Sequence, residues 1–332
     1  MILLFIFYKM MLYKEYRLRG FVMLPVYFTI LFYVVVFIYS IVIGSFLNVC
    51  ILRTPMKETV VSKRSHCMSC GHTLAWYDLF PLFSYIFLRG KCRYCKQKIS
   101  IQYPIVEGLN GVMAVLCFAI GGFFPHTIEF LNEWIYIGDN TEVWDWAHRI
   151  YNIENLFLKC FICSALIVIT VVDWRTFEIP LGANIFIFVI GIIKLISTVW
   201  VDSRYYQMYC EHMGIEPTFW QKLNGNGKWL EYVLGFFMVS FILWLIYVLS
   251  KGRAIGGGDV KLMAVAGLFL GWKLNLVALI AGCLYGSVIH IIRMKVSGEG
   301  KQLAMGPYLS AGIVTAMWFG NSIITWYSGF FG

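Results

Sequence analysis

The sequence predicts an all-α polytopic membrane protein with about eight transmembrane helices and a small cytoplasmic domain inserted between helices 1 and 2. Hydrophobic residues make up 60% of the 332 residues, and charged residues make up only 14%. A soluble domain of this length would not bury so much apolar surface, so the bilayer is the expected solvent. The inserted domain is predicted because a long basic loop separates the first two apolar stretches.

Spanning helices are expected wherever roughly 20 mostly apolar residues run between charged or turn residues. The shortest stretch, 260–272, fits either a re-entrant segment or a full crossing, and the alternation of loop sides favours the crossing. The chain divides into an N-terminal extension of uncertain status (1–22), helix 1 (23–52), the inserted domain (53–104) and a membrane domain (105–332). The eight stretches cover residues 23–52, 105–124, 156–172, 179–200, 231–250, 260–272, 275–292 and 305–328.

The loops alternate in charge, which predicts the side of the membrane on which each one lies. The 53–104 loop holds nine Lys and Arg residues but only two acidic residues, so we expect it in the cytoplasm. The 125–155 loop is mainly acidic and suits the outer face. The basic excess behind the net charge of +9 therefore orients the chain in the lipid bilayer, and no nucleic-acid partner is expected.

Residues 1–22 do not follow this charge rule. Four basic residues against Glu15 make the segment basic, although the topology places it outside. Either residues 1–12 form an additional hairpin element, or translation begins at Met23.

Two Cys-x-x-Cys pairs in the inserted loop predict a zinc-binding domain. Each pair can hold one metal ion through a tight turn, and two pairs complete a tetrahedral shell of four thiolates. Two disulfides are the alternative, but a cytoplasmic loop lies in a reducing compartment, which favours the metal. An alternative is that His66 or His72 replaces one of the cysteines as a metal ligand. The expected ligands are Cys67, Cys70, Cys92 and Cys95.

Two aspartates border long apolar runs, where a carboxylate is costly unless it is hydrogen-bonded or functional. Asp173 follows the run 165–172, and Asp259 closes a run of glycines at the same predicted membrane boundary. Two carboxylates that share one water and one proton can have separated pKa values, so that one acts as general base and the other as general acid. The alternative is that Asp173 pairs with Arg175 and that Asp259 is a solvated loop residue. Their shared depth favours an aspartyl dyad for amide hydrolysis.

The residues around Asp259 have predicted supporting roles. Gly256 and Gly258 would let the backbone approach a substrate strand closely, since they carry no side chain. Lys261 would either hold charge near the dyad or anchor at lipid headgroups, and the anchoring role is favoured. Three other acidic residues lie in predicted loops and are expected to be solvated surface charges: Asp78, Glu178 and Asp202.

Several segments together resemble the bacterial type IV prepilin peptidases, the membrane aspartyl leader peptidases that also N-methylate the exposed pilin terminus. The likeness covers about residues 44–312. It includes both cysteine pairs, Asp173 with Ile179 and Pro180, and the Gly256–Lys261 segment. The other matching segments are Gly44–Cys50, Arg53–Pro55, Trp76–Asp78, Leu88–Arg93, Tyr103–Glu107 and Gly306–Tyr308.

The resemblance implies cleavage of a cationic leader from a prepilin or pseudopilin just after a glycine, at the cytoplasmic boundary of the bacterial cytoplasmic membrane. Asp173 and Asp259 would activate the water, and zinc would be structural. It also implies N-methylation of the new terminus with S-adenosylmethionine, for which Glu107 is a candidate and simple packing an equal alternative. A zinc-stabilised membrane scaffold would explain the cysteines but not the Gly256–Asp259 segment, and a transporter would need acids nearer the bilayer midplane.

Overall fold

The computed structural model describes residues 23–56, 65–121, 142–216, 218–297 and 303–330, so the predictions for residues 1–22 lie outside it. Within these ranges the regular structure is helical, apart from two isolated β-bridges in the cysteine-bearing insert. The helices are α1 (Met23–Arg53), α2 (Phe83–Phe87), α3 (Gln102–Ile120), α4 (Glu142–Thr176), α5 (Leu181–Met213), α6 (Phe219–Asn224), α7 (Trp229–Leu249), α8 (Gly257–Leu270), α9 (Trp272–Ser297) and α10 (Gly306–Ser328).

Each of the eight predicted apolar stretches forms a helix, and six of these helices are long and apolar enough to cross a membrane. These six are α1, α3, α4, α5, α7 and α9. Helix α8 has 14 residues and a length of about 21 Å, which is less than the roughly 30 Å of hydrocarbon. Helix α10 is long enough, but Gly, Ser and Asn residues dilute its apolar content. The predicted all-α membrane architecture with a cysteine-bearing insert after the first helix is confirmed.

Two helices extend well beyond their predicted bounds. Helix α4 begins at Glu142, within the predicted outer loop, and α5 continues to Met213, within a segment predicted as loop. The prediction followed only the apolar residues that match the bilayer thickness. A helix continues into polar sequence once its backbone hydrogen bonds propagate, so the apolar run marks only its membrane-embedded part.

Helix α8 forms the centre of the bundle. Every residue from Leu262 to Leu270 is buried, which is typical of a helix enclosed on all sides. It packs against α5, α7, α9 and α10. Gly235 of α7 and Gly267 of α8 lie so close that a Cβ on either would collide with the backbone of the other. The start of α8 is therefore held on a rigid core element.

Buried polar contacts fix α1 and α4 to α3. A Cβ on Gly44 of α1 would lie 2.7 Å from the Cα atom of Glu107, so only glycine permits this approach of the two helices. Asn110 donates to the carbonyl of Ser40 at 2.7 Å and accepts from the hydroxyl of Ser164 at 2.7 Å. These bonds join three helices in a low-dielectric interior, where an unpaired polar group would be costly.

Candidate functional site

Asp173 lies in the last turn of α4 and is almost completely buried, with 4% of its surface exposed. Its Oδ2 atom accepts a hydrogen bond of 2.8 Å from the backbone N–H of Gly306, the first residue of α10. Helix N-termini present unpaired N–H groups and a partial positive charge, so this position suits a carboxylate. Arg175 donates to the side chain of Gln102. This contact replaces the alternative pairing of Arg175 with Asp173.

Asp259 lies in the first turn of α8 and is 9% exposed, so it is not the solvated loop residue of the alternative interpretation. Its Oδ2 atom accepts from the backbone N–H of Gly256 at 3.2 Å, which caps the helix. Burial raises the pKa of Asp259 from its ordinary value of 3.8 to about 6. The negative charge of Asp173 adds to this rise, while the Gly256 N–H opposes it.

The structure brings the two aspartates into one electrostatic site, since the charge of one shifts the pKa of the other. Gly258 contributes to this approach. A Cβ on Gly258 would lie 3.1 Å from the Cβ of Ile179, in the segment that follows Asp173. Gly258 therefore lets the start of α8 approach the segment that connects α4 to α5, and a Cβ on Gly256 would lie 3.1 Å from Oδ2 of Asp259. Lys261 is exposed on the same helix.

We expect Gly306→Ala to lower the peptidase rate by about tenfold to a hundredfold. The added Cβ would lie 2.7 Å from Oδ2 of Asp173 and would displace the carboxylate that Gly306 now holds. Gly182→Ala is the matched control, because Gly182 also lies in a first helical turn and its Cβ would meet nothing within 4 Å. Initial rates of leader cleavage by the two variants in detergent measure the effect. Equal rates for both variants would contradict the assigned role of Gly306.

The four cysteines of the insert form one cluster, and their Sγ atoms all lie within 4.8 Å of one another. A tetrahedral zinc site with Zn–S bonds of about 2.3 Å places sulfurs about 3.8 Å apart. The Sγ atoms of Cys67 and Cys95 are 3.9 Å apart, which fits this value. The donor set therefore fits zinc. His66 and His72 are outside the cluster, and the His72 ring stacks on Tyr94 with centroids 3.7 Å apart.

Each Cys-x-x-Cys pair sits in a tight hairpin turn of the same design. The N–H of Cys67 donates to the carbonyl of His72, and the N–H of Cys92 donates to the carbonyl of Gln97.

Asp78 holds the second turn in place. Its carboxylate is 3% exposed and accepts from Arg93 at 2.7 Å and from Tyr94 at 3.0 Å. The prediction that Asp78 is a solvated surface charge was wrong, because its partners come from 15 residues further along the chain.

The pKa values of Cys67 and Cys95 are shifted in opposite directions. Backbone N–H groups of Cys70 and Ser69 lower the pKa of Cys67 to about 6. The Gln97 N–H acts in the same direction on Cys95, but desolvation and the other three thiols together raise its pKa to about 11. A divalent cation would neutralise the crowded thiolates and lower every one of these pKa values.

Glu107 joins the insert to the membrane domain. It lies in the first part of α3, is 6% exposed, and accepts from the backbone N–H of Leu82 at 2.8 Å. Leu82 has a positive φ of 60°, which costs energy for a branched side chain. The Glu107 contact therefore supports a strained turn beside α2.

The prediction that Asp202 is a solvated surface charge was also wrong, because the residue is buried. Its Oδ2 atom accepts from the backbone N–H of Asn226 at 2.8 Å, and Lys228 lies 3.8 Å from its other oxygen. It lies in the C-terminal half of α5, about 32 Å along the helix from Leu181, where α5 begins. Asp202 therefore belongs to a separate structural contact.

Sequence reasoning missed the role of Gly306 as the partner of Asp173. The available signal was a proline directly after Gly306, since proline in a first helical turn marks a helix start with free N–H groups. It also missed Asn48, which is 1% exposed and donates to the carbonyl of Tyr103 at 3.1 Å.

Comparisons with known proteins match two parts of the chain. Residues 38–120 match the bacterial peptidase A24 N-terminal domain, and residues 160–291 match the type IV leader peptidase family. These ranges contain the four cysteines and both aspartates. No solved structure matches the chain.

Several curated proteins with the name "Prepilin leader peptidase/N-methyltransferase" are similar to this chain. The protein from Myxococcus xanthus (strain DK1622) is 30% identical over 83% of this chain and 67% of its own length. The protein from Bacillus subtilis (strain 168) is 27% identical over 88% and 96%, and that from Aeromonas hydrophila is 24% identical over 90% and 94%. The resemblance inferred from the sequence is confirmed, and the chain belongs to the type IV leader peptidase family.

Proposed function

We propose that this chain is an aspartyl endopeptidase that removes the cationic leader from type IV prepilins or pseudopilins. The reaction takes place at the cytoplasmic boundary of the bacterial cytoplasmic membrane. One observation carries the proposal: two buried carboxylates, Asp173 and Asp259, stand at the ends of α4 and α8 and are close enough for one charge to raise the pKa of the other.

The two carboxylates divide the chemistry of amide hydrolysis between them. The ionised carboxylate of Asp173, held by the Gly306 N–H, takes a proton from the attacking water. The protonated Asp259 donates a hydrogen bond to the scissile carbonyl oxygen, where negative charge develops. Proton transfer to the departing amine then completes cleavage after the glycine that ends the leader. Both groups are fixed by backbone N–H bonds, so little reorganisation is needed during the reaction.

The cysteine cluster supports this reaction from outside the dyad. Four thiolates complete a closed tetrahedral shell, which leaves a zinc ion no open position for water or substrate. Zinc then serves to order the insert, and hydrolysis depends on the carboxylates. The insert reaches the membrane domain through the Leu82–Glu107 contact, so an ordered insert can present the cationic leader to the dyad.

The second activity we propose is N-methylation of the new pilin terminus with S-adenosylmethionine. Support comes from the double name of the relatives, which includes N-methyltransferase. When bound, this cofactor supplies an electrophilic methyl group. The chain must provide a site near the dyad, because the amine that accepts the methyl group is released there.

Mass spectrometry of a co-expressed prepilin tests both activities together. The proposal predicts a mature chain that begins directly after the leader glycine and carries one extra methyl group at its amine. A mature terminus at another position would refute the peptidase assignment. A correct terminus without the methyl group would refute the methylation alone.

We also expect cleavage to decrease as the pH rises through about 6. Because its pKa in the fold is raised to about 6, Asp259 keeps its proton below that pH and loses it above. Above it Asp259 is ionised, and its proton no longer assists the scissile carbonyl. The measurement is kcat/KM for a prepilin peptide between about pH 5 and 8. Glu231→Gln, on the exposed side of α7, is the control, and a flat wild-type profile would contradict the assignment.

A further inference from the structure

A cavity of about 440 Å³ lies where the end of α1, the start of α3 and the cysteine insert meet. This volume is in the range of small-molecule sites and is large enough for a nucleoside-sized ligand. Its exposed wall is mainly apolar, but it also carries charged side chains of both signs: Arg53, Arg93, Lys98, Asp78 and Glu107. The residues that matter here are Asn48, Val49, Tyr103 and Glu107 from the helices and Cys67 and Cys92 from the cluster.

Asn48 and Glu107 are two residues of this wall with acceptor oxygens. The Nδ2 atom of Asn48 donates to the carbonyl of Tyr103, which fixes the orientation of the amide. Its Oδ1 atom is buried and has no hydrogen-bond partner within the described part of the chain. Glu107 lines the same cavity, and its carboxylate accepts hydrogen bonds from the Leu82 N–H and from the Ser45 side chain. Buried acceptors of this kind are costly unless a ligand or water satisfies them.

A chain of contacts also connects the cavity wall to the segment that carries Asp173. The carbonyl of Tyr103 accepts from Asn48. Gln102 directly precedes Tyr103, and its side chain accepts from Arg175. Arg175 lies two residues after Asp173. A short chain of contacts thus leads from the cavity wall to the dyad where a new amine would be released.

We infer that this cavity is the site of S-adenosylmethionine, with the Glu107 carboxylate facing its positive groups. The inference rests on the methylation proposed above and assigns its location. In the transfer, the neutral pilin amine attacks the methyl carbon. The carbon–sulfur bond breaks with its electron pair on sulfur, so the sulfonium becomes a neutral thioether and the amine becomes a methylammonium. Acceptor oxygens near the sulfonium favour binding of this cation over the neutral product.

Direct binding of tritiated S-adenosylmethionine to the purified, zinc-loaded full-length protein tests the location. Val49→Trp fills the cavity and should weaken binding at least about tenfold, and Glu107→Gln should weaken it as well. The matched control is Val42→Trp, two helical turns away on an exposed face of α1, which should bind as the wild type does. Zinc content and monodisperse elution report whether each variant is folded.

A second measurement does not depend on variants. Ultraviolet crosslinking of the labelled cofactor to the wild type should mark peptides from residues 45–56 or 65–107, which line the cavity. Equal binding by all variants, or label confined to other peptides, would overturn the location while leaving methylation intact. If the wild type neither binds the cofactor nor methylates the pilin, both the location and the methylation proposal fail.

Discussion

Asp173→Asn and Asp259→Asn should each lower prepilin cleavage by at least about a thousandfold. An amide at either position keeps the shape and one acceptor oxygen, but it cannot take a proton from water or share one with its neighbour. Because the backbone N–H of Gly306 or Gly256 can still bond to the amide oxygen, the fold should be retained. Initial cleavage rates at equal expression, with zinc content as a folding check, measure the effect.

Asp202→Asn is the matched control for these variants. Asp202 is also buried and accepts backbone N–H bonds, but it lies in the C-terminal half of α5, about 32 Å along the helix from Leu181. Its cleavage rate should stay within about threefold of the wild type. A large loss in Asp202→Asn, or undiminished cleavage by both dyad variants, would contradict the aspartyl mechanism.

Replacing Cys92 and Cys95 together by serine should remove the metal and reduce cleavage at least about tenfold. Within residues 65–101, Cys92 is the only member of the buried hydrophobic core, so metal binding supplies much of the folding free energy of the insert. The helical bundle should remain, because its core is separate from the insert. Metal analysis should give about one zinc per wild-type chain and almost none in the double variant.

Cys283→Ser is the control for the cysteine variants, since Cys283 is an exposed cysteine on α9 outside the cluster. It should keep one zinc per chain and full activity. A metal-free wild type with full activity would contradict the structural role of zinc.

The sequence predicted the parts of the site that depend on local pattern. Each Cys-x-x-Cys pair is formed within one turn, and each aspartate borders an apolar run that ends at the site. Physical costs explain this success, because four close thiols and a membrane-boundary carboxylate rarely occur without a role. The catalytic roles of Asp173 and Asp259 remain a proposal that the variants above test.

Contacts between distant segments could not be predicted from one sequence. The bond from Gly306 to Asp173 spans 133 residues, and the bond from Asn48 to Tyr103 spans 55. Asp78 was misread for the same reason, since its burial depends on side chains that approach only after the second hairpin turn forms. Local hydropathy identifies the helices but does not state which helix ends meet.

The structure also bears on the two competing classes of function. A transporter would place its coupling carboxylates near the bilayer midplane, whereas Asp173 and Asp259 lie at helix ends. A scaffold would not require Gly258 and Gly306, whose missing side chains allow the segments around the two carboxylates to meet.

Rapid-quench mass spectrometry during a single turnover of prepilin in H₂¹⁸O tests the central mechanism most directly. If Asp173 and Asp259 activate water, the released leader gains one ¹⁸O at its new carboxyl group, and the enzyme keeps its own mass at every time point. A covalent adduct of the leader on the enzyme, on a cysteine or a carboxylate, would contradict direct attack by water.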